Sequence, residues 1–196
     1  MGIIIAGVDE AGRGPLAGPV VAAAVILNPQ SPINGLKDSK LLSPKRREIL
    51  FEEINRCSLA VAWSSCSVEE IDRINILQAS LLAMRQAIIK LKIKPDQVLV
   101  DGNILPNLSG LSVIGRAIVN GDQLEPAISA ASIIAKVIRD RLMVDLDQKY
   151  PDYGFLKHKG YGTKEHINAL KKHGKTIEHR NSFLKKILPI NLVQSN

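Results

Sequence analysis

The sequence predicts an α/β fold with a five-stranded mixed sheet flanked by helices. Only a short link rich in glycine and proline separates the first two apolar runs, which favours an antiparallel pair of strands. A later apolar run is reached through a helical pattern, so we expect that strand to lie parallel to its neighbour. Apolar residues make up 45% of the 196 residues and aromatics only 4%, so aliphatic side chains must fill the core.

The strands are predicted from short, mostly apolar segments. Residues 3–8 form a continuous apolar run, typical of a strand buried on both faces. Residues 11–19 read as a turn, and a second strand covers 20–27. Three further strands are predicted at 59–65, 98–100 and 112–119.

The helices are predicted from caps and apolar periodicity. Ser43 followed by Pro44 begins a short helix that ends near Arg56. A capping-box pattern at 67–70 begins a second helix, which we expect to continue as one helix to Lys94 and Pro95. Its apolar residues form one stripe: Ile74, Leu77, Leu81, Met84, Ile88 and Leu91. A long helix is predicted from about 126 to 149, where alanines allow close packing on the sheet.

Positive charge is concentrated at the C-terminal end of the chain. Residues 1–150 hold 17 basic and 16 acidic side chains, whereas 151–196 hold nine and three, together with all four histidines. We therefore divide the chain into a nearly neutral body, 1–150, and a basic helical segment, 151–196, packed on it. A basic lobe beside a neutral body indicates a polyanionic partner, although a surface selected only for solubility would look the same. The candidates for phosphate contacts are Lys157, Lys159, Lys164, Lys171, Lys172, Lys175 and Arg180.

Other features of the chain indicate a cytoplasmic protein. No stretch approaches 18 uncharged apolar residues, so we expect no membrane partner. The N-terminus lacks the basic region and the cleavage site of a signal peptide. Cys57 and Cys66 have no CxxC spacing and are interpreted as reduced, partly buried thiols. We expect a monomer.

Carboxylates end two of the predicted strands. Asp9 and Glu10 follow the first strand, and Asp101 follows the strand at 98–100. If these strands are parallel neighbours, Asp9 and Asp101 lie side by side, and a divalent cation would offset their repulsion. Oxygen ligands without nearby Cys or His select Mg²⁺ or Mn²⁺ over Zn²⁺. Either aspartate alone could simply begin a turn, and Asp122 could be a fourth ligand or the N-cap of a helix.

Gly12, Arg13 and Gly14 directly follow the acidic pair. The segment lacks the Gly-Lys-Ser/Thr of a phosphate loop, and its third glycine, Gly18, comes one residue late for a dinucleotide fingerprint. Two glycines around an arginine would let the backbone approach a ligand closely while the arginine reaches a phosphate. A plain glycine turn would have the same sequence.

At this point a resemblance becomes specific. Residues 7–20 (GVDEAGRGPLAGPV) resemble the N-terminal signature of bacterial ribonuclease HII, the type 2 ribonuclease H. Further blocks match in order from here to about Phe183: 38–40 (DSK), 74–77 (INIL), 101–103 (DGN), 121–122 (GD), 129–136 (SAASIIAK) and 158–161 (HKGY). The resemblance therefore covers nearly the whole chain.

The resemblance implies a ribonuclease H-like fold and a metal-dependent endonuclease. In that family four carboxylates, which here are Asp9, Glu10, Asp101 and Asp122, bind Mg²⁺ or Mn²⁺ and are catalytic. The substrates implied are RNA–DNA hybrids and DNA duplexes that contain ribonucleotides, cut 5′ to a ribonucleotide to leave 3′-hydroxyl and 5′-phosphate ends. The remaining residues implied in substrate binding are Gly12, Arg13 and Gly14 at the ribose 2′-hydroxyl, Tyr161 at the RNA–DNA junction, and Lys40 and Asn75 in the matched blocks.

Three other interpretations share part of this pattern. A transposase, integrase or junction resolvase also clusters acidic residues on such a sheet, but the Gly-Arg-Gly loop and the C-terminal blocks argue against it. A type 3 ribonuclease H carries an additional N-terminal domain, whereas this chain starts directly in its first strand. A non-catalytic nucleic-acid-binding module could use the basic segment, but four acids beside a phosphate site would repel its ligand in the absence of metal.

Overall fold

A five-stranded sheet runs through the centre of the protein, whose computed structural model describes residues 2–36 and 42–185. The strands are β1 (Ile5–Ala11), β2 (Val20–Ile26), β3 (Ala60–Cys66), β4 (Gln97–Asp101) and β5 (Ile114–Ile118). Their order across the sheet is β3-β2-β1-β4-β5. The predicted mixed five-stranded sheet is thus confirmed.

Helices occupy both faces of this sheet and the C-terminal region. They are α1 (Pro44–Cys57), α2 (Val68–Ile74), α3 (Ile76–Ile89), α4 (Gly121–Leu124), α5 (Pro126–Lys149), α6 (Phe155–His158), α7 (Lys164–His173) and α8 (Asn181–Leu184), with a 3₁₀ turn at Pro151–Tyr153. None of the helices in the described ranges is long and apolar enough to cross a membrane.

The strand pairing brings the acidic strand ends together. β1 is antiparallel to β2, as the short link predicts, and parallel to β4, which meets the condition for Asp9 and Asp101 to lie side by side. Val8 pairs with Val100, so Asp9 and Asp101 occupy the next positions of two adjacent parallel strands. The sheet itself therefore places these two carboxylates at one edge.

Two apolar layers sandwich the sheet, and a third cluster holds the C-terminal helices. Alanines of α3 pack on one face, whereas α5 and α1 cover the other. At Gly7 the main chain of α5 comes so close to β1 that a Cβ there would overlap the backbone of Ala127. The third cluster joins Leu16 and Met143 to residues of the C-terminal segment, including Phe155 and Leu170.

The single helix predicted from 67 to about 94 is wrong. Asn75 has φ 67° and separates α2 from α3, with its side chain accepting a hydrogen bond from the amide of Gln78. Of the predicted stripe, Met84 and Ile88 are buried, whereas Leu77 and Leu81 are only half-buried. The rest of the buried face of α3 is formed mainly by Ala79, Ala83 and Ala87. Side chains this small allow a helix to pack closely on a sheet.

The structure also tests two further predictions, the end of the first strand and the state of the two cysteines. The first strand does not end before the acidic pair but continues through Asp9 and Glu10 to Ala11. Both cysteines are free thiols; Cys66 is buried and Cys57 half-buried, as their spacing indicated.

Candidate active site

Three carboxylates meet in one cavity at the end of β1 and β4. The cavity has a volume of about 450 Å³, and Asp9, Glu10 and Asp101 lie in its wall. Asp9 is the most enclosed of them, with 4% of its surface exposed, and its Oδ1 accepts a hydrogen bond of 2.7 Å from the amide of Glu10. Burying like charges side by side is costly unless something offsets them.

The electrostatics of this cluster favour a cation. Burial raises the pKa of Asp9 well above its ordinary value, and the charges of Glu10 and Asp101 raise it further, against a lowering by a hydrogen bond from Ser132. Burial also raises the pKa of Glu10, although the neighbouring Arg13 opposes that shift. A divalent cation in the cavity would stabilise the ionised carboxylates and reverse both shifts.

Asp122 is placed behind the cavity rather than in its wall. It lies within α4, 2% exposed, and its amide is 3.4 Å from Oδ1 of Asp101, an atom that also accepts a 2.7 Å hydrogen bond from the amide of Gly121. The N-cap positions of α4 and α5 are Asn120 and Glu125. The alternative in which Asp122 caps a helix is therefore wrong, and its backbone instead fixes Asp101.

The chemistry of these donors fits a hard divalent ion. All of them are carboxylate oxygens, the ligands that Mg²⁺ and Mn²⁺ prefer. In residues 2–36 and 42–185, no three Asp, Glu, His or Cys side chains are already arranged as a cage around an ion. The charge and donor type of the cluster, rather than a preformed cage, are what suit it to a metal.

The loop after β1 is held by two buried arginines. Gly12 has φ +100°, and a Cβ on it would overlap the Arg139 side chain. Arg180 donates hydrogen bonds of 2.7 Å to the carbonyl of Gly12 and 3.1 Å to that of Arg13. Arg139 donates to the carbonyls of Pro19 and Lys159, at 3.1 Å each. The arginines thus fix the carbonyl groups of the loop that borders the carboxylates.

Arg180 was predicted to contact phosphates, and this prediction is wrong. The side chain is fully buried, and burial lowers its pKa to about 9. Its guanidinium is occupied by main-chain carbonyls of the β1–β2 loop, including Gly18 at 2.7 Å. Of the other predicted basic residues, Lys157, Lys164, Lys171 and Lys172 are exposed, and Lys159 and Lys175 are half-buried.

Tyr161 lies in the wall of the same cavity, although it is distant from the acids in sequence. The residue is 47% exposed, and a Cβ added to Gly14 would lie 3.5 Å from its Cε1 atom. Gly160, with φ +82°, brings this segment within 2.8 Å of Leu16, whose amide donates to the Gly160 carbonyl. The predicted loop and the predicted tyrosine are therefore in contact range.

The two remaining predicted substrate-binding residues are not brought to the cavity. Lys40 lies outside the described residues. Asn75 is absent from the cavity wall and caps α3.

Sequence reasoning missed four residues that line the cavity: Arg47, Ser132, Lys136 and Arg139. The last three are spaced by four and three positions on α5, and so lie on one helix face. The polar face that these residues form on an alanine-rich helix could have been recognised from the sequence. Lys136 is paired with Asp140 at 2.6 Å.

Comparisons with known proteins agree with this fold. The family model of Ribonuclease HII matches residues 6–186. The ribonuclease HII of Shewanella loihica is 57% identical over 178 residues, 91% of this chain and 86% of that protein. The structure of ribonuclease H2 from Pyrococcus horikoshii matches with a TM-score of 0.75 at 30% identity, covering 92% of this chain and 93% of that one. Bst-RNase HIII in complex with Mn²⁺ shares the fold (TM-score 0.68, 18% identity, 87% and 70% coverage).

Proposed function

The chain belongs to the ribonuclease HII family, and from that premise we propose that it hydrolyses the RNA strand of RNA–DNA hybrids and incises duplex DNA 5′ to a single embedded ribonucleotide. The products would carry 3′-hydroxyl and 5′-phosphate ends. The observation that carries this proposal is one cavity lined by Asp9, Glu10, Asp101, the Gly12–Arg13–Gly14 loop and Tyr161. Such an activity would serve ribonucleotide excision repair and DNA replication.

We further propose that Asp9, Glu10, Asp101 and Asp122 hold Mg²⁺ or Mn²⁺. Two such ions, when bound, would supply an activated water and stabilise the charge on the phosphate and the leaving 3′-oxygen. The protein's own contribution is orientation: the amide of Gly121 fixes Asp101, and the amide of Glu10 fixes Asp9. Asp122 would contact the ions less directly than the other three, because its side chain is not in the cavity wall.

The Gly-Arg-Gly loop supports recognition of the ribose 2′-hydroxyl, the group that distinguishes RNA from DNA. Arg180 engages the carbonyls of Gly12 and Arg13, so these groups are already paired within the protein. The main-chain amides of Gly12, Arg13 and Gly14 are the groups that would contact the hydroxyl. A loop fixed in this way loses little conformational entropy when a sugar binds.

Cleavage of a duplex with one ribonucleotide, in the presence of Mg²⁺, tests the proposed function. We expect a single cut 5′ to the ribonucleotide, read out by end-labelled products with 3′-hydroxyl and 5′-phosphate termini. The cut should disappear when the ion is chelated. A cut on the 3′ side, or equal cutting of a duplex without ribonucleotides, would contradict the proposal.

Replacing Tyr161 with alanine should affect the two substrates unequally. A flat ring beside Gly14 can stack on a sugar that lacks a 2′-hydroxyl. Stacking of a base on an aromatic side chain, a comparable contact, contributes about 1–3 kcal/mol. We expect kcat/KM to fall at least about tenfold more on a single embedded ribonucleotide than on a continuous hybrid. Tyr161→Phe, which keeps the ring, is the matched control and should stay close to the unmodified protein. Equal losses on both substrates would assign Tyr161 to general binding or folding.

The exposed lysines of α7 should contribute to the salt dependence of binding. We expect the double change Lys171→Gln and Lys172→Gln to reduce the log–log salt slope of hybrid affinity by roughly 0.7–0.9 for each phosphate that the protein no longer neutralises. Lys92→Gln with Lys94→Gln is the matched control, because these residues precede β4 and so lie at the end of the sheet opposite the carboxylates. The idea fails if both pairs change the slope equally.

A further inference from the structure

Three of the four histidines gather beneath the loop that carries Tyr161. His166 and His179 are fully buried, and the ring of His158 stacks on that of His166 with centroids 4.5 Å apart. The proposed carboxylate chemistry uses none of them. Buried polar rings are retained at a cost unless each nitrogen is paired, so their partners show what they do.

These hydrogen bonds form a relay in which every donor points the same way, from Thr176 toward Tyr161. The amide of Thr176 donates to Nδ1 of His179 at 2.9 Å, so that nitrogen is an acceptor and the proton of the neutral ring lies on Nε2. This Nε2 is 3.1 Å from Nε2 of His166, which must then accept, leaving the His166 proton on Nδ1. That Nδ1 is 2.9 Å from the carbonyl oxygen of Tyr161 and donates to it.

The neutral state required by this chain agrees with the burial of both rings. Burial lowers the pKa of His166 to about 4 and that of His179 to about 3, so neither ring carries a charge near pH 7. With one proton on each ring, both tautomers are fixed by the Thr176 amide at the start of the chain.

The third ring holds the residue that precedes Tyr161. Nδ1 of His158 accepts from the amide of Gly160 at 3.2 Å, and its Nε2 lies 2.8 Å from the carbonyl oxygen of Tyr153. Hydrogen bonds with two histidines thus hold the main chain on both sides of the peptide bond between Gly160 and Tyr161. Gly160 requires φ +82° there, and Gly162 follows, so neither neighbour restrains the loop by its own side chain.

We propose that His166 and His179 are positioning residues for Tyr161: their relay fixes the Tyr161 carbonyl and thereby keeps the tyrosine ring in the cavity beside Gly14. The inference rests on the proposed function, in which Tyr161 acts at a single ribonucleotide. It assigns the relay to substrate choice rather than only to the stability of the C-terminal cluster. A relay serving only the fold would affect every substrate alike.

The first test compares His166→Leu with His166→Asn. Leucine removes the donor to Tyr161, whereas the asparagine amide can donate from near the Nδ1 position. We expect His166→Leu to lower kcat/KM on a single embedded ribonucleotide by about tenfold, the effect of removing a buried hydrogen bond, with a much smaller change on a continuous hybrid. His166→Asn should recover most of this loss. His179→Asn, which is too short to reach His166, should give a smaller loss in the same direction.

The second test is a double-mutant cycle with Tyr161→Ala. If the relay acts through the tyrosine, His166→Leu should not change the ratio of the two activities further in the Tyr161→Ala background. Activity on the continuous hybrid shows that each variant is folded. Equal losses on both substrates, or additive losses in the cycle, would overturn the inference. If the unmodified protein does not cut the single-ribonucleotide duplex at all, the proposed function itself has failed.

Discussion

The Asp101→Asn variant is expected to lose about three orders of magnitude or more in kcat on both a continuous hybrid and a single embedded ribonucleotide. Removing one carboxylate charge from a metal site costs several kcal/mol of transition-state stabilisation, and each 1.36 kcal/mol is about a factor of ten in rate. The loss should appear in kcat rather than in affinity. Hybrid binding, measured by fluorescence anisotropy without catalysis, should remain within a few-fold of the unmodified protein.

The fold is expected to survive this change. Asparagine keeps an oxygen that can accept from the amide of Gly121, so the local hydrogen bond at the end of β4 persists. Asp145→Asn is the matched control, since it removes the same charge from an exposed position on α5 away from the cavity. Near-normal turnover of Asp101→Asn would refute the carboxylate assignment.

The second large effect concerns the ribose. A duplex with one ribonucleotide should be cut about 10⁴-fold or more faster than the same duplex made entirely of DNA, because polar groups aimed at a hydroxyl are left unpaired when it is absent. Both substrates differ by a single oxygen atom, so the ratio isolates recognition of the 2′-hydroxyl. Equal rates on the two substrates would exclude recognition of the 2′-hydroxyl by the Gly12–Arg13–Gly14 loop.

Substitutions in the loop should separate close approach from backbone strain. Gly12→Ala is expected to be severe, because its φ is +100° and the new Cβ would overlap the Arg139 side chain. At Gly14 an added Cβ would lie 3.5 Å from the Tyr161 ring, so alanine should be tolerated, whereas the branched Gly14→Val should reduce cleavage strongly. Gly110→Ala is the control: it has φ +80°, but nothing lies within 4 Å of its Cβ position. A Gly110→Ala effect as large as that of Gly12→Ala would mean that strain alone explains the loop.

Local sequence patterns were sufficient for the sheet and for part of the site. The short first link predicted that β1 is antiparallel to β2, and the helical link predicted a parallel neighbour for β4, because only a long connection can return a strand in parallel. That this neighbour is β1 came from the structure. The carboxylates were recognisable since they directly follow apolar runs, and parallel strands end at one edge. Caps at Ser43 and Ser67 were also read correctly, because a cap is a contact over three residues.

Periodicity was less reliable where one residue could change the course of the chain. The apolar stripe continues through Asn75, yet the positive φ of that residue breaks the helix, and the buried face of α3 combines Met84 and Ile88 of the stripe with alanines. With φ 67° and ψ 164°, Asn75 has a backbone conformation that is found almost only at glycine, and nothing in its immediate neighbours predicts it. The orientation of α3 was therefore beyond a count of apolar spacings.

The sequence by itself determined the fold class and the antiparallel pairing of the first two strands, and it identified the carboxylates that follow apolar strands. Only the tertiary structure decided that Arg180 is a buried clamp rather than a phosphate contact, since its partners Gly12 and Gly18 lie 168 and 162 positions away in the chain. The same holds for the histidine relay to Tyr161. The sequence alone does not show whether an arginine or a histidine is exposed or buried. That depends on the carbonyl groups around the side chain, which are brought near by packing between distant segments.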